Sequence, residues 1–402
     1  MRILHIVTAW PRDAEDVITP WLVTLAEKQA ARGHEVDVLA PAWRGRSRRR
    51  ARVEAGPSVR RFRYAPARWE RLTHEETVPD RLQRHPAYAL LVPGYLAAGV
   101  AAAARLGRAR AYDVVHVHWA VPHGLAGWAA ARAARHAALV TTFYGAEIRW
   151  AERRFPPARA FLRWYCRRSR LVAISASTRA MIAPYAGGRP IAVIPYGVPL
   201  PPAEESAPPE SADPPRILFV GRLVARKGVD RLLEALARLR ARPWRLEIVG
   251  FGPERDPLER RAAELEIADR VAFLGRVTNA DLVAAYRRAA CFVLPATLDE
   301  RADTEGLGVV LLEAMSYGVP VIATRRGGIV DVVADGETGL LVEDDPAALA
   351  DGIATLLEDP ARGRALGRAG HARVRERFGW NSIVDRLEAV YRAEPGPKSG
   401  AG

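Results

Sequence analysis

The chain has 402 residues, too many for one ordinary core, and 49% apolar with 26% charged residues is the balance of a folded soluble protein rather than a disordered one. A formal net charge of +14 raises nucleic acid, an anionic membrane surface or an anionic small substrate as partners. No aromatic-interleaved basic motif or zinc-finger spacing accompanies it, which argues against nucleic acid.

The first residues, MRILHIVTAW, read as a strand and not as a signal peptide, and two distant cysteines, Cys166 and Cys291, form no disulfide framework. A cytoplasmic protein is the expectation, with peripheral contact to the inner face of a membrane left open. Lysine is scarce, so much of the basic excess is a preference for arginine, densest in RGRSRRRAR (44–52).

In chain order, RILHIV (2–7) is strand-like, Pro20 to Arg32 has helical spacing closed by Gly33, and HEVDVLAP (34–41) is a second strand. The uncharged run from Pro86 to Ala104 touches transmembrane length but carries Pro93, Gly94 and Gly99, and reads as a buried helix. Strands follow at 113–119, 137–143, 170–175 and 191–197. A segment dense in Pro, Ser and acid (199–215) reads as an exposed connector. The pattern then restarts with strands at 216–223, 245–250, 271–277, 291–296, 319–324 and 339–343, and helices at 346–358, 360–378 and 380–392. Strands alternating with helices predict an α/β fold of two doubly wound, Rossmann-like domains facing each other across a cleft, with ligands at the carboxyl ends of their strands. The expected division is 1–198, a linker at 199–215, 216–378, a helix at 379–394 crossing back, and a disordered tail at 395–402.

Three loops of the second half carry chemistry. GRLVARKG (221–228) follows a strand and enters a helix, placing Arg222 and Lys227 where a guanidinium and an ammonium suit a diphosphate. GFGP (250–253) has no third glycine, so it is a tight turn and not a dinucleotide fingerprint, with Gly250 and Gly252 as candidates to line the nucleotide site. EGLGVVLLE (305–313) sets Glu305 in a loop and Glu313 one turn inside a helix. Gly306 and Gly308 let the amides of Leu307, Gly308 and Val309 approach a phosphate. A ligand with a diphosphate and two sets of sugar hydroxyls satisfies both cations and carboxylates; a nucleotide sugar is such a ligand.

GRL…RKG, GFGP, EGLGVVLLEAM and GVPVIA…GG…DGETGLLV resemble, in order, the retaining glycosyltransferases of family 4, which have the GT-B fold. The resemblance covers the second half. It implies that Glu305 contacts the donor sugar, Glu313 the ribose hydroxyls, and Arg222 and Lys227 the diphosphate. The first half resembles the family more loosely and takes the acceptor. There the resemblance points to His118 as a donor-sugar contact, with His116 and His123 as rivals. TTFYGAEI (141–148) is similar to a family segment that reads His-Gly-x-Asp/Glu, but Tyr144 stands in the histidine position with Glu147 at the acid, and both are candidates, with His123 and Thr19, to contact the acceptor or the sugar. The family's glycine between first strand and helix is missing from AEDVITPW (14–21), where Thr19 is the substitute.

The resemblance implies a hexosyl or N-acetylhexosaminyl transfer from a UDP- or GDP-linked sugar to a hydroxyl of a sugar, lipid-linked glycan or small molecule, with retention and domain closure in the cycle. It calls for no further cofactor. Asp299, Glu300 and Asp303 share a loop without metal-site spacing, so no metal is expected. Loss of Glu305 or Lys227 is expected to abolish transfer and leave the fold intact. Two rivals stand beside this reading: a sugar-nucleotide epimerase of the same architecture, and a basic protein binding a membrane surface or polyanion through the arginine block.

Overall fold

The computed structural model describes residues 1–12, 16, 18–45, 56–74, 78–154, 157–201, 213–298 and 304–393. The arginine block beyond Gly45, the connector from 202 to 212, the loop of Asp299, Glu300 and Asp303, and the tail from 394 lie outside the described residues.

Two sheets account for the strands, and every pairing in them is parallel. The first contains β1 (Arg2–Ile6), β2 (Glu35–Pro41), β3 (Ser58–Phe62), β4 (Val114–His118), β5 (Ala138–Phe143), β6 (Arg170–Ala173) and β7 (Ile191–Val193), ordered β3-β2-β1-β4-β5-β6-β7. The second contains β8 (Arg216–Val220), β9 (Arg245–Val249), β10 (Val271–Gly275), β11 (Ala289–Leu294), β12 (Val321–Thr324) and β13 (Leu340–Val342), ordered β10-β9-β8-β11-β12-β13. In both, the order reverses beside the first strand, the doubly wound signature that places ligands at the strands' carboxyl ends.

The expected strands are present, trimmed at one or both ends, except that β11 begins at Ala289, two residues ahead of expectation. The sequence reading missed β3, whose SVRRF carries two arginines and sits at the sheet edge. Helical starts follow local chemistry. Pro20, Pro346 and Pro360 occupy first turns, where a missing N–H costs nothing. The Asp345 and Asp359 side chains accept from the amides of Ala348 (3.0 Å) and Arg362 (2.9 Å).

The run from Pro86 is helical but not buried as expected. A 3-10 turn, Pro86–Leu91, leads into the helix Val92–Ala109, which buries one stripe of Tyr95, Gly99, Ala103 and Gly107. Only 17% of its most apolar window is buried, and by length and composition Pro86–Ala109 is apolar enough to cross a membrane.

Chain packing divides the molecule into Met1–Pro195 with the residues from Ile383 on, and Tyr196–Ser382. The division after Pro195 comes ahead of the expected residue 198, because Val198 already pairs with the second unit, its amide donating to Phe378 O at 3.0 Å. The helix Trp380–Arg392 spends most of its length on the first unit, where Arg32 bonds Asp385 (2.5 Å) and Gln29 bonds Tyr391 (3.0 Å).

Within the first unit the pleat sorts side chains by face. Leu4, Ile6, Val115 and Val117 face one core layer. His5, His116 and His118 take the alternate positions of the same two fully covered strands. Parallel strands covered on both faces leave no solvent side for a polar residue, so these imidazoles are interior groups.

Candidate donor and acceptor sites

In the second unit, the loop after β8 folds as a short 3-10 turn, Ala225–Lys227, closed by Gly228 with φ +65°. A Cβ on Gly228 would lie 1.9 Å from Pro295 O, so only glycine lets this loop seat on the end of β11. Lys227 is thereby drawn inside, 8% exposed, with its ammonium on the Glu305 carboxylate. Arg226 adds a second cation, Nη1 lying 3.7 Å from Glu305 Oε2. Burial pushes the Glu305 carboxyl up, but Lys227, Arg226 and the Gly308 amide outweigh it and hold the group below its ordinary range. Of the amides expected to meet phosphate, that of Gly308 is thus engaged by Glu305.

Arg222, the other expected diphosphate ligand, is exposed and makes no side-chain hydrogen bond or ion pair among the described residues. The cation beside Glu305 that the sequence reading did not single out is Arg226. Its signal was present in the same motif, where three cations compete for one loop.

Leu307 is buried, and Gly308, at φ +84°, caps the helix Val309–Ser316. Glu313 lies one turn in and accepts from the Tyr286 hydroxyl at 3.0 Å. Burial raises its carboxyl above the ordinary range, a shift that Tyr286 partly offsets. Behind the loop, the Gly328 amide donates to Glu305 O at 3.0 Å. Gly250 and Gly252 pack backbone to backbone on the β8 loop; a Cβ on either would fall 1.8 Å from Gly221 O or 2.1 Å from Leu223 O. Their part in the geometry is close approach, as the tight-turn reading held. Phe251 between them is exposed and carries the Arg276 guanidinium 3.8 Å above its ring.

In the first unit, the sequence candidates converge on the carboxyl ends of β4 and β5. His118 ends β4 fully buried, with Nδ1 2.7 Å from the Tyr144 hydroxyl and Nε2 3.0 Å from His5 Nδ1. Burial, then His116, His5 and His123, drive its pKa well below the ordinary value. His116 bonds Tyr391 and Thr142, and its ring stacks on His118 with centroids 4.3 Å apart. His5, His116 and His118 each offer a nitrogen within 4.8 Å of the others, a cation-capable grouping whose nitrogens already have hydrogen-bond partners. His123 is locked between the His118 carbonyl (3.2 Å) and the Tyr95 hydroxyl (2.9 Å), a core position.

Tyr144 stacks on Trp119 with centroids 4.5 Å apart. Glu147, in the first turn of the helix Ala146–Arg154, accepts from the Tyr144 amide at 2.9 Å. Among the described residues its Oε2 has no hydrogen-bond partner, and burial pushes its carboxyl up to about 7. Thr19 takes the backbone conformation that favours glycine, φ 48°, and its hydroxyl donates to Ala9 O at 3.3 Å. That bond commits the one hydrogen Thr19 had to offer a donor. Gln29, His5 and Tyr391, which complete the histidine cluster, were not found in the sequence.

The chain is similar to known proteins along almost its whole length. The Glycosyl transferases group 1 family matches residues 202–373, and Glycosyltransferase Family 4 matches residues 21–200. A GDP-mannose-dependent alpha-(1-6)-phosphatidylinositol monomannoside mannosyltransferase from Mycolicibacterium smegmatis is 32% identical over 378 residues, 89% of this chain and 90% of that one. Sucrose-phosphate synthase from Thermosynechococcus elongatus superposes with a TM-score of 0.74 at 25% identity, covering 97% of this chain and 98% of that one. Anabaena HepE, bound to UDP and glucose, shares the fold at a TM-score of 0.66 and 21% identity, covering 96% and 98%. The two Rossmann-like units are therefore those of the GT-B class. Matched along almost its whole length, the chain belongs to the group 1 glycosyltransferases of family 4 and moves a sugar from a nucleotide sugar to an acceptor hydroxyl.

Proposed function

We propose that the second unit binds the donor and the first unit the acceptor, and that transfer proceeds with retention at the anomeric carbon. Lys227, Arg222 and the amides of Leu307 and Val309 meet the diphosphate. Glu305 takes the donor sugar's hydroxyls and Glu313 those of the ribose. The observation that carries this reading is the Lys227–Glu305 pair at the mouth of the helix Val309–Ser316: a cation and an acid that neutralise each other at rest. On donor binding, Lys227 shares its charge with phosphate while Glu305 accepts from sugar hydroxyls. The departing diphosphate, stabilised by cations and amides, takes the acceptor's proton, so catalysis is mainly electrostatic and positional.

The donor is GDP-linked in this proposal, with mannose as the sugar and a lipid-linked mannoside as acceptor. The support is the relative that matches 89% of this chain and is described as GDP-mannose-dependent and acting on a phosphatidylinositol monomannoside. The base is placed at the loops after β9 and β10, where Phe251 and Arg276 offer a stacking platform. A lipid-borne acceptor also suits the exposed apolar face of Pro86–Ala109, which we read as a peripheral membrane contact.

A thermal-shift panel of UDP, GDP, ADP and their sugars tests the donor, because a ligand bound only by the folded state raises its melting temperature. GDP and GDP-mannose are expected to give the largest rise. A larger shift with UDP would replace the base, and no shift with any of them would overturn the donor site.

A further inference from the structure

One unbroken hydrogen-bonded chain runs through the core of the first unit. The Tyr144 hydroxyl lies 2.7 Å from His118 Nδ1, and His118 Nε2 lies 3.0 Å from His5 Nδ1. His5 Nε2 is 2.7 Å from Gln29 Oε1, and Gln29 Nε2 is 3.0 Å from the Tyr391 hydroxyl. Tyr391 continues to His116 Nδ1 at 2.7 Å, and His116 Nε2 ends the chain on Thr142 Oγ1 at 2.8 Å. Every member is buried.

The register of the sheet makes the chain. His5 pairs with His116 between β1 and β4, and His118 with Thr142 between β4 and β5. The helix Pro20–Ala31 supplies Gln29 from one element and Trp380–Arg392 supplies Tyr391 from another. Burial holds all three imidazoles in the neutral form. A neutral imidazole gives one hydrogen bond and receives one.

Gln29 is the one member whose two ends differ in kind, so it sets the sense of the rest. Its carbonyl oxygen accepts from His5, which places the His5 proton on Nε2 and leaves Nδ1 bare. His118 must then donate from Nε2, and its bare Nδ1 receives the Tyr144 hydrogen. In the other direction the Gln29 amide donates to Tyr391, Tyr391 to His116 Nδ1, and His116 Nε2 to Thr142. Turning the amide over would reverse every one of these hydrogens. The separations favour the orientation described: 2.7 Å suits an imidazole N–H on a carbonyl, and 3.0 Å is long for a phenol O–H donor but ordinary for an amide N–H.

We propose that Gln29 is a positioning residue of the transfer reaction, fixing His118 as its Nε2–H tautomer and so holding the Tyr144 hydrogen on His118. Both nitrogens of His118 are then committed within the protein, and toward a sugar hydroxyl the Tyr144 oxygen acts as an acceptor. This rests on the reading of the β4 and β5 ends as substrate contacts.

The tautomers can be read directly by nitrogen-15 NMR of the full chain labelled at histidine, in which protonated and bare ring nitrogens are well separated. Signals are assigned by His5→Gln, His116→Gln and His118→Gln, each removing one ring. At neutral pH all three rings are expected to carry a single proton, on Nε2. Gln29→Met should abolish the single tautomer at His5 and His118 and lower the rate of transfer from GDP-mannose at least tenfold. Should Gln29→Met fail to fold, Tyr391→Phe serves: His116 loses its fixed tautomer while His5 and His118 keep theirs. A proton on His118 Nδ1, an imidazolium at any of the three, or a wild-type transfer rate in folded Gln29→Met would overturn the proposal. Wild-type protein that transfers from no nucleotide sugar while showing the expected tautomers would instead remove the functional reading on which it rests.

Discussion

The Lys227 ammonium rests on the Glu305 carboxylate, two residues 78 apart in sequence that meet with side chains only 10% and 14% exposed. The sequence suggested that either could be removed at the expense of activity alone. A nearly buried ion pair behaves differently, because each partner pays for the other's lost hydration. Lys227→Ala is expected to abolish transfer and also to lower stability by about 3–5 kcal/mol at neutral pH, the range for stranding a buried charge. Arg226, 3.7 Å from the same carboxylate, moderates that loss. Urea unfolding beside the transfer assay measures both. Wild-type activity in Lys227→Ala or in Glu305→Ala would remove the donor site from this loop.

The folded-state pKa of Glu305 is depressed, so its contribution to stability is present above the unfolded value and is lost as pH falls through the folded one. In Lys227→Ala burial is opposed only by the weaker Arg226 and the Gly308 amide. The gap in stability between variant and wild type should therefore shrink below about pH 4, where the unfolded carboxyl is itself protonated. A gap that stayed constant down to that pH would mean the destabilisation comes from packing and not from charge.

Phe251 and Arg276 meet at the ends of β9 and β10 with the guanidinium 3.8 Å from the ring. If a nucleobase stacks there, Phe251→Ala should weaken GDP binding by about 1–3 kcal/mol, the range measured for base–aromatic stacking. Calorimetric titration of GDP reads this directly. An unchanged affinity would move the base to another loop.

Much of the second unit was legible because its signals are local. A strand, a glycine turn and a helix start each announce themselves within a few residues, and the glutamates of EGLGVVLLE lie one loop and one turn apart. Even there, choosing among Arg222, Arg226 and Lys227 required the 3-10 turn of Ala225–Lys227, which no periodicity reveals. The first unit was legible in outline only. His116 and His118 were visible as two polar residues on one face of a strand. Their partners His5, Gln29 and Tyr391 come from β1 and two helices, and they meet only through register and packing. β3 was missed because an arginine-rich edge strand breaks the apolar pattern that marks the interior ones.

Leu90 is 81% exposed at the start of the apolar stretch Pro86–Ala109, whose far end carries Arg105 and Arg108. An apolar face with basic residues at its border binds anionic lipid by burial and by charge together. The protein should sediment with vesicles containing phosphatidylglycerol and less with neutral phosphatidylcholine, and salt should release part of it. Leu90→Glu is expected to reduce the bound fraction severalfold with donor binding unchanged. Equal binding of the variant would assign the membrane contact elsewhere.

Glu147 carries a further pH dependence, and its sign opposes that of Glu305. Burial lifts its folded carboxyl to about 7 from an ordinary 4.5, while the Tyr144 amide bonded to Oε1 works the other way. Between those values the folded chain holds a proton that the unfolded chain has released. Stability therefore falls as pH rises from 4.5 to 7 and stays lower beyond, by roughly 3 kcal/mol at most. Glu147→Gln keeps an oxygen for the Tyr144 amide and never ionises. It should match wild type near pH 5 and melt at a higher temperature at pH 8. The buried imidazoles act in the other direction, costing stability as pH falls below their ordinary value, but they are common to both proteins and cancel in the difference. If wild type instead melts above Glu147→Gln at pH 8 and the two merge at low pH, Glu147 is ionised in the folded protein and is paired with a cation.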